Sequence, residues 1–220
     1  MNVVVVLFFI LVACAGPARS QEPSLSSPAE ERSFTAVGRI GDPGYRSFFT
    51  FSTKGGGYIF RADGFAEVSQ GKARPRNFSV PLGGSGHMVR FYFLEHENDL
   101  LLIYELSDER VGWGYLVRLN QKTLKPKWAI PINGFNIGPA IVDTTSNAYL
   151  SAANLLARVD LKTAKYVWQQ ENLQKQFPLG FGGFRLPQLE GDRVLFSEDR
   201  QNGKTVEVEK SSGKIIAVRD

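Results

Sequence analysis

From residue 88 onward, apolar positions come in short alternating runs rather than at helical spacing. "VRFYFLEHENDLLLIYEL" (Val89–Leu106) is two apolar runs around a polar turn at Glu97–Asp99. "PAIVDTTSNAYLS" (Pro139–Ser151) turns at Asp143, and "PQLEGDRVLFS" (Pro187–Ser197) turns at Gly191–Asp192. Each predicts a pair of strands, and each is followed by a second pair. "LVRLNQKTLKPKW" (Leu116–Trp128) and "LARVDLKTAKYVW" (Leu156–Trp168) are identical at six of thirteen positions without a gap. "VEVEKSSGKIIA" (Val206–Ala217) is a weaker third copy. Val117 and Leu119 point one way and Arg118 the other. Asn120, or Asp160 in the second copy, opens a turn because its side chain accepts backbone N–H groups just downstream. The chain then enters another strand ending on Trp128 or Trp168.

The unit is therefore four strands in about 40–50 residues, three times over between Met88 and Asp220, which is the pattern of a β-propeller blade. Upstream, Phe34–Leu82 is strand-like, alternating at Phe49–Phe51 and Tyr58–Phe60 around the glycines Gly55–Gly57. It lacks the Trp hairpin and reads as a degenerate unit. The expected fold is all-β and β-propeller-like over residues 34–220, with about four four-stranded antiparallel units, three clear and one degenerate. The apolar run Ile215–Val218 needs a partner or stands as an exposed edge. Pairing with Phe34–Ile40 would close a ring; the alternative is an open, curved stack of small sheets.

The residues that recur are Asn120, Thr123, Lys125 and Trp128, then Asp160, Thr163, Lys165 and Trp168, then Glu209, Ser212, Gly213 and Lys214. This series resembles the repeat of the pyrroloquinoline-quinone-type (quinoprotein-like) propellers, over roughly 60% of the chain. That superfamily holds both quinone-dependent dehydrogenases and non-enzymatic envelope proteins. Two departures stand out. Leu124 and Ala164 occupy the usual Gly position, where a non-Gly residue at positive φ is disfavoured, so those turns are expected to differ from the family's. Ala217 replaces the third Trp, which leaves open how that unit docks on a neighbour.

The first residues change the setting. "VVVVLFFILVA" (Val3–Ala13) is an apolar run of eleven residues. It is too short to span a bilayer comfortably and reads as the core of a signal peptide over residues 1–20, although no Lys or Arg precedes it. Two exits are readable: a lipobox-like "LVAC" with lipid attachment at Cys14, or cleavage after "ARS" (Ala18–Ser20). Residues 21–33, rich in Pro and Ser, read as a flexible tether. The expectation is an exported protein: periplasmic, an outer-membrane lipoprotein, or secreted. Cys14 is the only cysteine, so the mature domain has no internal disulfide. The net charge of +4 is spread along the chain and gives no clustered field for nucleic acid. Partners are expected to be envelope proteins, with membrane contact only through a lipid on Cys14. The oligomeric state is left open.

Motifs of chemistry are few. His87 and His96 are the only histidines, and "EHE" (Glu95–Glu97) reads as a solvated turn rather than a metal site, since neighbours on a strand face opposite ways. "GGSGH" (Gly83–His87) is not a nucleophile elbow, "KGGGY" (Lys54–Tyr58) is not a phosphate loop, and "KARPR" (Lys72–Arg76) is a solvated basic loop. Quinoprotein enzymes resembling this repeat tend to carry carboxylate, metal-binding and often vicinal-cysteine features. The mature domain has no cysteine, so no catalytic, cofactor or metal residue is assigned and no enzyme is expected. The expected function is a non-catalytic scaffold or interaction module of the envelope. The alternative is a ligand- or carbohydrate-binding module, or an enzyme acting at the propeller mouth. Twelve steps separate Tyr104 from Leu116 but seven separate Tyr149 from Leu156, so the extra length around Trp113 marks a variable surface loop. Trp113 is a candidate partner contact there, against the plainer reading of a Trp folded onto its own unit. "FNIGP" (Phe135–Pro139) and "FGGFRLP" (Phe181–Pro187) recur between units and read as turns at one mouth.

Overall fold

The computed structural model of the chain describes residues 32–33, 35–39, 47–53, 56–62, 66–70, 76–78, 87–107, 112–123, 125–180 and 182–220, with side chains from residue 90 onward. The leader with Cys14, the tether up to residue 31, residues 54–55, 72–75, 83–86 and 108–111, and Leu124 lie outside the described residues.

Two short strands come first, β1 (Arg32–Ser33) and β2 (Thr35–Arg39). Four antiparallel sheets follow. The first holds β3 (Ser47–Thr53), β4 (Gly56–Ala62), β5 (Ala66–Gln70) and β6 (Arg76–Phe78). The second is built on β7 (His87–His96), β8 (Asp99–Ser107), β9 (Gly112–Asn120) and β10 (Pro126–Ile132). The third is built on β11 (Ile141–Val142), β12 (Asn147–Ala152), β13 (Leu155–Asp160) and β14 (Lys165–Glu171). The fourth holds β15 (Gln188–Glu190), β16 (Arg193–Ser197), β17 (Thr205–Glu209) and β18 (Ile215–Arg219). Each runs up and down in sequence order. A single helical turn, α1 (Leu173–Gln176), links the third sheet to the fourth.

The three units expected from residue 88 onward are the second, third and fourth sheets. Closure by the two chain ends is not what forms. β2 pairs with β7 (Thr35 opposite Phe93, Arg39 opposite Arg90), and β1 pairs with β11. Among the described residues β18 pairs with β17 alone. The stack is open at the fourth sheet. The longer edge takes the strand: β7 has ten residues and β18 five. Two boundaries shift accordingly. Arg32 and Ser33, expected in the tether, belong to a strand, and Phe34–Leu82 divides between the second sheet and a sheet of its own.

Sheets two to four pack face on face. Leu101, Ile103, Leu116 and Ile130 of the second sheet meet Ala148, Leu150, Ala157 and Val159 of the third in one core. Tyr149, Leu156 and Trp168 on the third sheet's other face meet Val194, Phe196, Val206 and Val208 of the fourth. Both faces of the central sheets are covered, so β8 and β12 are buried almost along their whole length.

The repeat residues build the joints. Asn120 Oδ1 accepts the N–H groups of Lys122 (3.0 Å) and Thr123 (2.9 Å), and Asp160 Oδ1 accepts those of Lys162 (2.7 Å) and Thr163 (3.3 Å). Glu209 instead takes the hydroxyl of Ser212. Ala164 does not make its turn depart from the glycine form: it holds φ 57°, beside φ 76° at Gly213. Its N–H donates to Asp160 O at 2.9 Å, as Gly213 N–H donates to Glu209 O at 2.9 Å. Left-handed strain of about 1–2 kcal/mol at one alanine is offset by a turn that is otherwise fully bonded. β10, β14 and β18 each carry a bulge just before Trp128, Trp168 and Ala217, so these three positions are structurally equivalent.

From each joint, the Arg–Trp pair reaches the following sheet. Arg118 Nη1 donates to Leu161 O at 2.9 Å, and Arg158 Nη1 donates to Lys210 O at 2.9 Å, the same position of the next turn. Trp168 Nε1 donates to Lys210 O at 2.8 Å. Trp128 packs against the core that holds Ala164, and the Trp168 ring lies against Gly213. In the fourth sheet the equivalent positions are Glu207 and Ala217. Glu207 turns to Arg193 and Arg219 of its own sheet, and Ser197 bonds Thr205 across it at 2.9 Å. The polar groups of that face, which also carries Leu195 and Ala217, are paired within the sheet, where the other two sheets offer a docking pair.

Candidate functional site

In an up-and-down sheet, turns 1–2 and 3–4 fall at one end, and the 2–3 hairpin and the connection to the next sheet fall at the other. The second group forms the candidate site, because the connections there are held by long-range side-chain bonds. Arg90 on β7 donates through Nη2 to Asn136 Oδ1 (2.8 Å) and through Nη1 to Ile137 O (3.2 Å). Ile137 N–H donates to Glu105 Oε2 at 3.0 Å, and Arg90 Nε stands 3.5 Å from that carboxylate. Tyr92 donates to Ile137 O at 3.3 Å. In the next connection, Glu198 accepts Gly180 N–H (2.6 Å), Lys204 N–H (2.8 Å) and the Arg200 guanidinium (2.8 Å). "FNIGP" is thus more than a mouth turn. Ile137 is wholly buried in the core, and Asn136 takes φ 53° to place it there. Gly138 is required by close approach, since a Cβ would lie 2.6 Å from Phe184 O.

Two large apolar side chains at this end face outward, among exposed polar groups such as Asn133, Arg185 and Asp199. Phe135 is 41% exposed and Leu186 is 39% exposed, at neighbouring connections. Trp113 lies opposite Leu106 on β9 and is partly buried. Gly112 beside it looks the other way, toward Phe135, so Trp113 and Phe135 flank the end of β9 on opposite faces. Two further hydroxyls, of Tyr104 and Ser151, are fully buried and beyond the reach of a solute.

At the opposite end stand most of the residues that define the repeat. Asp99 is 1% exposed, with Arg118 Nε at 2.5 Å and Lys127 Nζ at 2.7 Å. Burial pushes the Asp99 carboxyl up, but hydrogen bonds and charge from Lys127 and Arg118 outweigh it and hold the group below the ordinary range. Asp143, Asp160 and Glu198 are likewise depressed, burial being outweighed by the N–H and hydroxyl donors around them, with a Lys or Arg charge helping at Asp160 and Glu198. His96 is buried rather than solvated, Glu97 pairs with Arg118 at 2.8 Å, and Glu95 accepts from Gln121 at 3.0 Å.

Four carboxylates with depressed folded values give stability that is complete above their ordinary value, about pH 4, and is lost as pH falls through each folded value. Thermal unfolding followed from pH 7 to pH 2 is expected to show a midpoint insensitive to these groups above about pH 4 and falling below it. A midpoint unchanged at pH 2 would contradict the bonding described.

Trp168 and Gly213 meet at the joint between the third and fourth sheets and Trp128 packs into the core between the second and third, while Asn120, Thr123, Asp160 and Thr163 shape their own turns. Glu105 and Arg90 escape sequence reasoning. The one available signal for Glu105 is a carboxylate at the end of the apolar run "LLLIYEL".

The fold defines an all-β, propeller-like repeat protein of packed antiparallel sheets, open rather than closed. A solved structure similar to it is that of BamB from Moraxella catarrhalis, at 13% identity and a TM-score of 0.42, covering 77% of this chain and 62% of that one. This chain thus spans less than two thirds of that protein. No family model matches the sequence, and no curated protein matches it.

Proposed function

We propose that the chain is an exported, non-catalytic interaction module of the cell envelope, of the quinoprotein-like repeat type, tethered through Cys14 or released. It engages a protein partner with the end that carries the connections between sheets. One observation carries this reading. Arg90, Tyr92, Glu105 and Glu198 are spent on fixing the backbone of the connections, while Phe135 and Leu186 stand outward in neighbouring connections. Of the buried carboxylates there, Glu198 accepts two N–H groups and a guanidinium, and Glu105 accepts the Ile137 N–H beside the Arg90 guanidinium, so both are engaged in holding the connections. Rigidly presented apolar side chains within a polar rim fit the pattern of an interface anchor.

The experiment is cross-linked recovery of partners from the envelope fraction. Phe135→Ala with Leu186→Ala, and separately Trp113→Ala, are each expected to lower recovery of the same partner at least roughly tenfold, as loss of an interface anchor does. Equal recovery by wild type and both variants overturns the reading.

A further inference from the structure

The 3–4 turns of the second, third and fourth sheets all lie at the end opposite the connections. They are stitched side by side by the bonds from Arg118 to Leu161 O and from Arg158 and Trp168 to Lys210 O. Each turn lifts lysines into solvent: Lys122 and Lys125, Lys162 and Lys165, and Lys214 are all exposed. The same turns carry fewer anionic positions, each partly buried and hydrogen-bonded. Position 120 is a neutral Asn, Asp160 caps the N–H groups of Lys162 and Thr163, and Glu209 is held by the Ser212 hydroxyl. The ion pairs at this end include those of Arg118 and Lys127 on Asp99 and Glu97 and of Arg193 on Asp192. Among the described residues Lys125, Lys162, Lys165 and Lys214 enter none. The five exposed lysines outnumber the two carboxylates of these turns, Asp160 and Glu209, so the row carries a local positive excess, although the whole chain carries only +4.

We propose that this lysine row is a docking surface for an anionic phospholipid membrane, separate from the protein-binding end. The turns are short and contiguous, and their cations are long, flexible point charges, which suits a fluid array of phosphates. Reading of nucleic acid bases would need planar arginine forks or stacking rings, and the row has neither. An aqueous juxtamembrane cation contributes enough binding energy that a few acting together give reversible adhesion, strongest within a Debye length of about 8–10 Å. Facing the lysines to lipid also turns the connection end away from the membrane, toward partners.

The test is sedimentation of the full chain with vesicles of phosphatidylcholine alone or with phosphatidylglycerol added, at low and high salt. The comparison variants are the fourfold change K122Q/K125Q/K162Q/K165Q and a control that removes charge at the other end, K175Q/R185Q. The wild type is expected to bind the anionic vesicles at least roughly tenfold better than the neutral ones, losing that gain at high salt. The fourfold variant is expected to fall to the neutral level while the control stays with wild type. Equal binding to both vesicle types, equal loss in both variants, or tighter retention on single-stranded DNA than on the anionic vesicles would each overturn the proposal. The wild-type salt and lipid dependence decides the matter even if a variant folds poorly.

Discussion

Arg118→Ala is expected to destabilise the protein by about 3–5 kcal/mol, measured by urea unfolding followed through Trp fluorescence. The magnitude comes from what remains rather than from what is removed. Asp99 would stay buried and ionised with Lys127 as its only cation, and Leu161 O would lose its donor at a junction between sheets. Breaking one side of a buried pair costs far more than deleting both sides. The double change with Asp99→Ala is therefore expected to recover part of the loss. Arg158→Ala should cost only about 1 kcal/mol, because Arg158 bonds a carbonyl and sits over the Tyr149 ring without a buried carboxylate to abandon. A loss below 1 kcal/mol for Arg118→Ala would mean the cluster does not anchor the second sheet to the third.

The second large effect is at Trp168. It is 8% exposed, its ring lies against Gly213, and its indole N–H shares the Lys210 carbonyl with Arg158. Trp168→Ala is expected to cost about 3–5 kcal/mol and to speed amide exchange across the fourth sheet. Trp128→Ala should cost less, because Trp128 is only partly buried. The converse change, Gly213→Val, acts on the same contact. Its Cβ would lie 2.6 Å from the Trp168 ring at a φ of 76°, so both packing and backbone oppose it. If Trp168→Ala leaves exchange in β16 and β17 unchanged, the two sheets are not coupled through this residue.

The strands were legible because alternation survives wherever a face differs from its opposite, and the Asx turns at Asn120 and Asp160 announced themselves by residue type. Arg118 was placed on the correct face of β9, but nothing local distinguishes a face turned to solvent from one turned to another sheet. That distinction belongs to contacts between residues more than forty positions apart. The same limit hid the partners of β1 and β2, since an edge strand carries no mark of which ladder it will join. At Ala164 the φ preference is an intrinsic term of about 1–2 kcal/mol, and the hydrogen bonds of the turn override it. At the candidate site, Phe135 and Leu186 were visible within recurring segments, whereas the roles of Glu105, Arg90 and Glu198 required the fold, because each acts on backbone brought from another sheet.

The fourth sheet's outer surface carries Glu207 and Ala217 where its siblings carry Arg and Trp, closed off by its own counter-ions. Modular sheets that present adhesive flanks risk head-to-tail polymerisation, a non-closing contact that grows into fibres. This surface pairs its charges within its own sheet, and so offers an incoming copy no arginine–tryptophan pair with which to repeat the contact made between the other sheets.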